Sequence, residues 1–295
     1  HIGSIKRWRV QIFAITWLAY AAFYFTRKAF SVAKLGIGED PTFHLDKMAM
    51  AFLDAIYLAA YAVGQFAWGM LADRFGPRVV VLGGLLISAA AAVVMGSFAT
   101  LPIFATCMLI QGLAQSTGWS GLCKNIGSFY PAQQRGRVLG LWSSCYAFGG
   151  LVASPFAGWW AYTYIGSWHA AFISSAVVVA FVALLFFIFQ RNKPEDVGLP
   201  AVEPEPQLSA EEVQAQGKIS VLAPLRDILR NRTVLTLGLA YFMLKPARYA
   251  ILLWGPVIVF EQMPSVGKVG AAIIPTAFEL AGLLGPILLG LASDK

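Results

Sequence analysis

Eight apolar runs dominate this sequence, and each is close to the length at which an α-helix crosses a lipid bilayer. About 20 apolar residues are needed to span the ~30 Å hydrocarbon core. The first six runs cover residues 8–30, 48–71, 79–98, 102–123, 138–164 and 168–189, and the last two cover residues 233–260 and 269–291. Runs of this length and number predict an all-α membrane protein that crosses the bilayer several times.

The composition excludes an ordinary soluble protein. Of the 295 residues, 58% are hydrophobic and 13% are charged, against roughly 25% charged in a soluble domain. The net charge of +7 would suggest a nucleic-acid partner in a soluble chain, but here the basic residues must first be placed relative to the bilayer. The three cysteines and three histidines have no metal-type spacing, so we expect no metal site, no cofactor and no nucleic-acid partner.

A polar segment separates the sixth run from the seventh. Residues 191–232 carry five prolines and seven acidic side chains, a composition that lipid does not tolerate. Apolar residues at helical spacing beside arginines predict a short interfacial helix over residues 221–229. The expected organisation is a six-helix bundle over residues 1–190, a cytoplasmic linker over residues 191–232, and helices seven and eight over residues 233–295.

The lysines and arginines predict the orientation, because basic loops stay in the cytoplasm. With the N-terminus inside, 14 of them lie on the inner side and 3 on the outer side. The three outer residues are Lys34, Lys47 and Lys268. The remaining five, which lie within or at the ends of apolar runs, are Arg27, Lys28, Lys124, Lys245 and Arg248. The N-terminus is therefore predicted to be cytoplasmic.

An internal repeat relates the two parts of the chain. Arg27 and Asp73 have counterparts 221 residues later, at Arg248 and Asp294, as expected for a duplicated six-helix unit. On this interpretation the chain stops after helix eight of twelve. We expect a fragment of a longer protein, and the alternative is a naturally short relative.

Several motifs resemble a known transporter family. The turn over residues 69–78 resembles the loop signature of the major facilitator superfamily. Residues 24–30, residues 115–119 with Lys124, and residues 248–256 together resemble the organophosphate:phosphate antiporter family, which includes glycerol-3-phosphate and hexose-phosphate transporters. The resemblance implies the major facilitator fold, represented by its N-terminal six-helix bundle and the first two helices of its C-terminal bundle. It also implies that the protein is not an enzyme but a transporter, and that it exchanges a phosphorylated metabolite for inorganic phosphate by alternating access.

Two arginines are the strongest candidates for a phosphate site. A charged residue near the centre of a membrane helix costs about 2.5–3.5 kcal/mol or more, so it is kept where it faces a cavity or a partner. Arg27 and Arg248 occupy matched positions in the first helix of each half, and the resemblance assigns both to phosphate binding. The alternative is that each arginine reaches the interface or pairs with an acid, and only Asp54 and Glu279 lie within apolar runs.

Other candidate residues surround this predicted pair. Tyr24 precedes Arg27 by three residues and shares its helical face, and Lys245 occupies the repeat-related position. Family members that carry glycerol phosphate have Lys and His where this chain has Gln65 and Tyr146. We therefore expect Lys245 to replace the lysine that is absent from helix two. The alternative for Lys245 is that it extends along an apolar helix toward the interface, and the alternative for Tyr24 is that it anchors its helix at the membrane interface.

Helix four and the cytoplasmic turns supply the remaining candidates. Gln115 and Trp119 lie four residues apart on one helical face, where they contact substrate or pack in the core. The predicted gating residues are Asp73, Arg74, Arg78, Lys124 and Asp294. Lys124 equally satisfies the excess of positive charge on the inner side.

The leading function is therefore exchange of a sugar phosphate or glycerol phosphate for inorganic phosphate in a bacterial inner membrane, or in endoplasmic reticulum if the source is eukaryotic. One bundle suffices for transport, which is compatible with a monomer. A membrane receptor for sugar phosphates is one alternative. A proton-coupled symporter of organic anions is another, for which Glu279 is the candidate proton site.

Overall fold

The computed structural model describes residues 2–203 and 229–293, and all regular structure within them is helical. The helices are α1 (Ile2–Ile37), α2 (Lys47–Phe75), α3 (Pro77–Ser97), α4 (Leu101–Gln115), α5 (Gly118–Phe129), α6 (Ala132–Trp142), α7 (Ser144–Gly158), α8 (His169–Phe189), α9 (Arg232–Gln262), α10 (Gly267–Ile273) and α11 (Ala277–Ser293). The predicted all-α class is confirmed.

Five helical segments are long and apolar enough to cross a membrane. These are Lys47–Phe75, Pro77–Ser97, His169–Phe189, Arg232–Gln262 and Pro264–Gly285. The first predicted run forms one unbroken helix of 36 residues, α1. The runs over residues 102–123, 138–164 and 269–291 are divided between successive helices, the last of them by the 3₁₀ turn Ile274–Thr276. The chain is therefore a multi-pass membrane protein with interruptions in three of its predicted spans.

The first interruption lies between α4 and α5. The hydroxyls of Ser116 and Thr117 donate to the carbonyls of Leu113 and Ala114, at 2.8 and 2.7 Å. Such local bonds to the backbone compete with the regular helix. Gly118 then opens α5, where an added Cβ would lie 2.9 Å from the ring of Phe23. The break therefore directly follows Gln115, one of the predicted site residues.

The second interruption follows α7. Pro155 lies within α7, and the chain continues from Gly158 into a π-helix, Trp159–Ile165. Tyr162 ties this π-helix to α1, because its hydroxyl donates to the carbonyl of Val32 at 2.6 Å and accepts from the N–H of Gly36 at 2.9 Å. Gly166 ends the element with a φ of 78°, a conformation that glycine adopts without strain.

The described residues fall into two units, His1–Val202 with Leu252–Lys295, and Glu203–Ile251. In the first unit, α1 packs against α7 and α8, α2 against α4, and α3 against α4 and α8. Arg27 of α1 lies within reach of side chains of α2 and α4. The predicted interfacial helix over residues 221–229 lies outside the described residues except for its last position, so the domain boundaries remain a prediction.

Candidate functional site

Arg27 lies in the interior of the first unit, on α1. It is 9% exposed. Its Nε donates to Oε1 of Gln115 at 3.2 Å, and its Nη2 donates to the hydroxyl of Tyr61 at 3.5 Å. Both bonds are at the long end of the hydrogen-bond range and therefore weak. No carboxylate in the described part of the chain forms an ion pair with Arg27, so these neighbours leave its charge unneutralised.

Two tyrosine rings cover the guanidinium group. Its central carbon lies 4.5 Å from the ring centroid of Tyr24 and 5.1 Å from that of Tyr61. Tyr24 therefore lies beside Arg27, as its spacing on α1 predicted. A cation over an aromatic face gains about 0.5–2 kcal/mol, which offsets part of the cost of burying the arginine without a counter-ion.

Gln115 is held by three further hydrogen-bonding groups, and a fourth residue, Ser88, supports two of them. Its Oε1 accepts from the hydroxyl of Tyr57 at 2.5 Å, and its Nε2 donates to Oε1 of Gln111 at 2.7 Å and to Oγ1 of Thr26 at 3.2 Å. The hydroxyl of Ser88 lies 2.7 Å from that of Thr26 and donates to Gln111 at 2.8 Å. This buried network fixes the amide oxygen that contacts Arg27.

Of the residues in this network, Gln115 was predicted from the sequence and the others were not. Tyr57 and Tyr61 share one face of α2, and Gln111 lies one turn before Gln115 on α4. Polar side chains four residues apart on apolar helices were the available signal. Tyrosines are common near membrane interfaces, and for that reason these two did not stand out.

A small cavity adjoins Arg27. Its lining includes Arg27, Asp54, Tyr57, Gln115 and Leu253. It has room for about one water molecule, since a water needs roughly 10–15 Å³ of accessible volume. A phosphoester is larger, so its binding requires neighbouring side chains or helices to move apart.

Trp119 and Tyr146, the other aromatic candidates, are connected to Tyr24 through the ring of Tyr20. Trp119 is 38% exposed, and its ring centroid lies 5.4 Å from that of Tyr20 and 6.5 Å from that of Tyr146. Tyr20 in turn lies 6.1 Å from Tyr24. Gln65 lies one turn after Tyr61 on α2 and hydrogen-bonds its side chain. The structure thus brings these candidates into one chain of contacts with Arg27.

A wider cleft opens beside Tyr146. Its volume is about 330 Å³, and its lining includes Ser143 and Tyr146 from the α6–α7 region and Gly282 and Leu283 from α11. This cleft is large enough for a small metabolite, whereas the cavity at Arg27 is not.

Lys245 and Arg248 lie on α9 in the second unit. The Lys245 ammonium lies 5.8 Å from the ring centroid of Tyr241 and 5.9 Å from that of Tyr249, and Arg248 is partly buried. Their placement opposite Arg27 remains a prediction.

Two of the predicted gating residues form an ion pair. Lys124 Nζ lies 2.5 Å from Oδ1 of Asp73, and both side chains are exposed. Arg74 is exposed, with its guanidinium over the ring of Phe75 at 5.4 Å. Asp294 lies outside the described residues. The Asp73–Lys124 pair joins α2 to α5, both within the first six predicted helices.

Arg78 caps the end of another helix. Its guanidinium donates to the carbonyls of Phe187 and Gln190, at the C-terminus of α8, and its backbone N–H donates to the side chain of Asn192 at 2.9 Å. A cation at this position satisfies carbonyls that lack partners within the helix. These contacts give Arg78 a place in the packing of α3 against α8.

Lys34, which was counted on the outer side beyond the first apolar run, is not an exposed residue of a connecting segment. Lys34 lies within α1, where its side chain is fully buried and forms an ion pair with Asp54 of α2 at 2.5 Å. The other acid within an apolar run, Glu279, is 3% exposed, and it packs so closely on Gly150 that an added Cβ there would lie 2.7 Å from its carboxyl carbon.

Comparison with known proteins gives a family match over most of the chain. Residues 16–295 match the family model described as Major Facilitator Superfamily. The chain is 28% identical to a probable hexose phosphate transport protein of Chlamydia muridarum (strain MoPn / Nigg), over 98% of this chain and 65% of the relative. It is 26% identical to the phosphoglycerate transporter protein of Salmonella typhimurium, over 99% and 65%, and 27% identical to the membrane sensor protein UhpC of Escherichia coli, over 98% and 66%.

Solved structures show the same fold. A bacterial homologue of the human lysosomal transporter Spinster aligns over 97% of this chain and 63% of its own length, with a TM-score of 0.77 and 17% identity. A D-xylose-proton symporter aligns over 97% and 69%, with a TM-score of 0.62 and 15% identity. These matches confirm the predicted fold and the resemblance to organophosphate transporters. The chain spans about 65% of the length of the first two relatives named above.

Proposed function

Because this chain belongs to the Major Facilitator Superfamily and, within it, to the organophosphate:phosphate antiporter family, we propose that the complete protein exchanges a phosphorylated metabolite for inorganic phosphate by alternating access. The observation that carries this proposal is the buried guanidinium of Arg27, which neutral side chains orient and no described carboxylate neutralises. Relatives named for hexose phosphate and phosphoglycerate transport support the substrate class.

The chemistry of Arg27 suits a phosphate group. A guanidinium carries five N–H donors, and two of those on Arg27 bond to Gln115 and Tyr61. The other N–H groups form no hydrogen bond with the described residues, and a planar fork of donors binds a phosphate through paired charge-assisted bonds. We expect the phosphate group to approach these donors once the cavity widens.

Exchange follows from the same charge. A buried cation without a counter-ion is costly to enclose in a low-dielectric interior, and a bound phosphate removes that cost. Closing the cavity around substrate should therefore be faster than closing it empty, which couples import of one anion to export of another. In this proposal Arg248 and Lys245 of α9 supply further positive charge.

The aromatic and amide side chains have a second role in the proposal. Tyr24 and Tyr61 flank the phosphate, and Trp119, Tyr146 and Gln65 contact the organic part of the substrate on its way through the cleft beside α11. Asp73, Arg74, Arg78, Lys124 and Asp294 act at the cytoplasmic end of the helices.

The proposed orientation in the membrane follows from the distribution of lysines and arginines along the chain. We place the N-terminus and the linker over residues 191–232 in the cytoplasm, the chain in a bacterial inner membrane, and one copy as the transporting unit. The protein acts as a transporter, with no enzymatic step.

Proteoliposomes that contain the complete protein test this proposal. We expect uptake of labelled phosphate to require unlabelled phosphate inside, and to be abolished in Arg27→Ala. Arg7→Ala is the matched control, because Arg7 lies on the same helix but is exposed. Uptake of similar rate into vesicles without internal phosphate would contradict exchange and favour proton-coupled symport.

A membrane receptor is the second candidate, because the sensor protein UhpC is a relative of similar identity. A receptor would bind phosphorylated ligand with the same dependence on Arg27 but would carry no flux. Saturable binding in a preparation that shows no exchange would select this function.

A further inference from the structure

Lys34 is an ammonium group buried within the helices at some distance from Arg27. Its side chain has no exposed surface. Its Nζ donates to Oδ2 of Asp54 at 2.5 Å and to the backbone carbonyl of Leu253 at 2.7 Å, and it lies 4.1 Å from the ring centroid of Trp254. Lys34, which belongs to α1, therefore contacts both α2 and α9.

The position of Lys34 relates it to the candidate substrate site. It follows Arg27 by seven residues on α1, about two turns or ~10 Å at 1.5 Å per residue, toward the loop over residues 38–46. Asp54 and Leu253, its two hydrogen-bond partners, line the same cavity as Arg27. The two partners of Lys34 thus form part of the wall of this cavity, and Lys34 lies directly behind them.

The two contacts of Lys34 differ in what they join. Lys34 and Asp54 both belong to the first six predicted helices, whereas Leu253 belongs to α9, the seventh. Separating Lys34 from Asp54 would leave two unpaired charges in a buried position, which is strongly unfavourable. Separating Lys34 from the Leu253 carbonyl leaves the ion pair intact and exposes one neutral acceptor. The contact with α9 is therefore the less costly of the two to break.

Two ion pairs that are at least partly exposed to solvent lie at the same end of the molecule. Lys47 of α2 pairs with Glu261 of α9 at 2.6 Å, and Glu39 pairs with Lys268 of α10 at 2.5 Å. Both join the region around the loop over residues 38–46 to helices after the linker. Exposed pairs of this kind contribute little, so the buried contact is the stronger link.

We propose that Lys34 and Asp54 form a latch that holds the Leu253 carbonyl and thereby closes the cavity around Arg27 at the end of the loop over residues 38–46. The latch rests on the proposed transport function. When that end opens, Lys34 stays paired with Asp54 and releases α9, so no uncompensated charge is left in the wall of the cavity. The pairing also keeps the Lys34 charge from competing with Arg27 for phosphate.

Thiol labelling of the complete protein tests the latch. Cys107, Cys123 and Cys145 are first replaced by Ala, and Met108→Cys is introduced as a probe, because Met108 is 4% exposed and lines the cavity. A membrane-impermeant thiol reagent is then applied from each side of the membrane in turn.

We expect Lys34→Met to raise the labelling rate of this cysteine from the side of the 38–46 loop by about tenfold, as the loss of one charge-assisted hydrogen bond predicts. Labelling from the opposite side should not rise. Lys47→Met is the matched control, because it removes an exposed ion pair between α2 and α9 at the same end, and it should leave both rates unchanged.

A second variant keeps the test valid if Lys34→Met fails to fold. The double change Lys34→Met with Asp54→Leu removes both charges, which proteins often tolerate without loss of stability. It also lacks the bond to Leu253, so it should label as fast as the single variant. A folded double variant with the labelling rate of the parent would overturn the latch, as would an equal rise from both sides.

The same vesicles separate the latch from the transport proposal. One-sided labelling that responds to Lys34 in a protein without phosphate exchange would support the latch and refute the exchange function. Normal exchange with labelling that ignores both Lys34 variants would refute the latch alone.

Discussion

The substitution Arg27→Lys tests whether the guanidinium group itself binds phosphate. It keeps the positive charge of the site but replaces a planar fork of five donors with an ammonium that has three. In the structure, two N–H groups of Arg27 bond to Gln115 and Tyr61. The groups that remain are enough to bind a phosphate through two parallel bonds, which a lysine cannot do.

The expected loss follows from that difference. One charge-assisted hydrogen bond contributes about 1.5–3 kcal/mol, so the variant should bind inorganic phosphate roughly 10- to 100-fold more weakly. The thermal unfolding temperature should change little, because the charge and its position over Tyr24 and Tyr61 are retained.

Isothermal titration of the purified complete protein with inorganic phosphate measures this loss directly. The control is Arg7→Lys, the same substitution at an exposed position of the same helix, and it should bind like the parent. A dissociation constant for Arg27→Lys within about threefold of the parent, a difference below 1 kcal/mol, would refute bidentate binding by Arg27.

Three further predictions concern the network, the packing and the pH dependence of stability. Gln115→Leu removes the oxygen that accepts hydrogen bonds from Arg27 and Tyr57. The buried donors left unpaired should lower the free energy of unfolding, measured by chemical denaturation, by about 1–3 kcal/mol. An unchanged denaturation midpoint would contradict a stabilising role of the network. Gly149→Ala would bring a Cβ to 2.8 Å from a backbone carbonyl oxygen of α1, so it should lower the free energy of unfolding by about 1–3 kcal/mol. Gly136→Ala is the control, because a Cβ added there would have no atom within 4 Å, and it should be neutral or stabilising in the same assay. The indole of Trp168 donates to Asp40 at 2.7 Å and, with bonds from a neighbouring threonine, holds the pKa of this carboxyl well below its ordinary value. The ionised form is therefore favoured by folding, and this contribution is present at neutral pH and lost as the pH falls below about 4. Asp40→Asn should make the unfolding temperature less dependent on pH in that range, and an unchanged slope would be evidence against the contact.

The helices could be predicted from the sequence because an uninterrupted apolar run is a local property. Their breaks could not, since Ser116 and Thr117 interrupt the helix through short bonds to the preceding backbone without interrupting the apolar pattern. The same limit applies to the π-helix after Gly158, where no residue type marks the change in hydrogen bonding.

The residues of the candidate site were likewise predictable only in part. Arg27 stood out because it is a charge within an apolar run, and Gln115 because it is an amide on the same kind of helix. Lys34 was counted on the outer side because it lies just beyond the first apolar run, residues 8–30. Its partners lie 20 and 219 residues away in sequence, and only the folded chain brings them together.

Heteroexchange is the most direct test of the central claim that the protein exchanges organic phosphate for inorganic phosphate. Proteoliposomes with the complete protein are loaded with labelled inorganic phosphate, and efflux is followed after external addition of glucose 6-phosphate, glycerol 3-phosphate or unphosphorylated glucose. The account predicts rapid efflux with at least one phosphoester, and no more than the background leak with glucose or buffer alone. Efflux at one rate in all of these conditions, or no efflux in any of them, would contradict it.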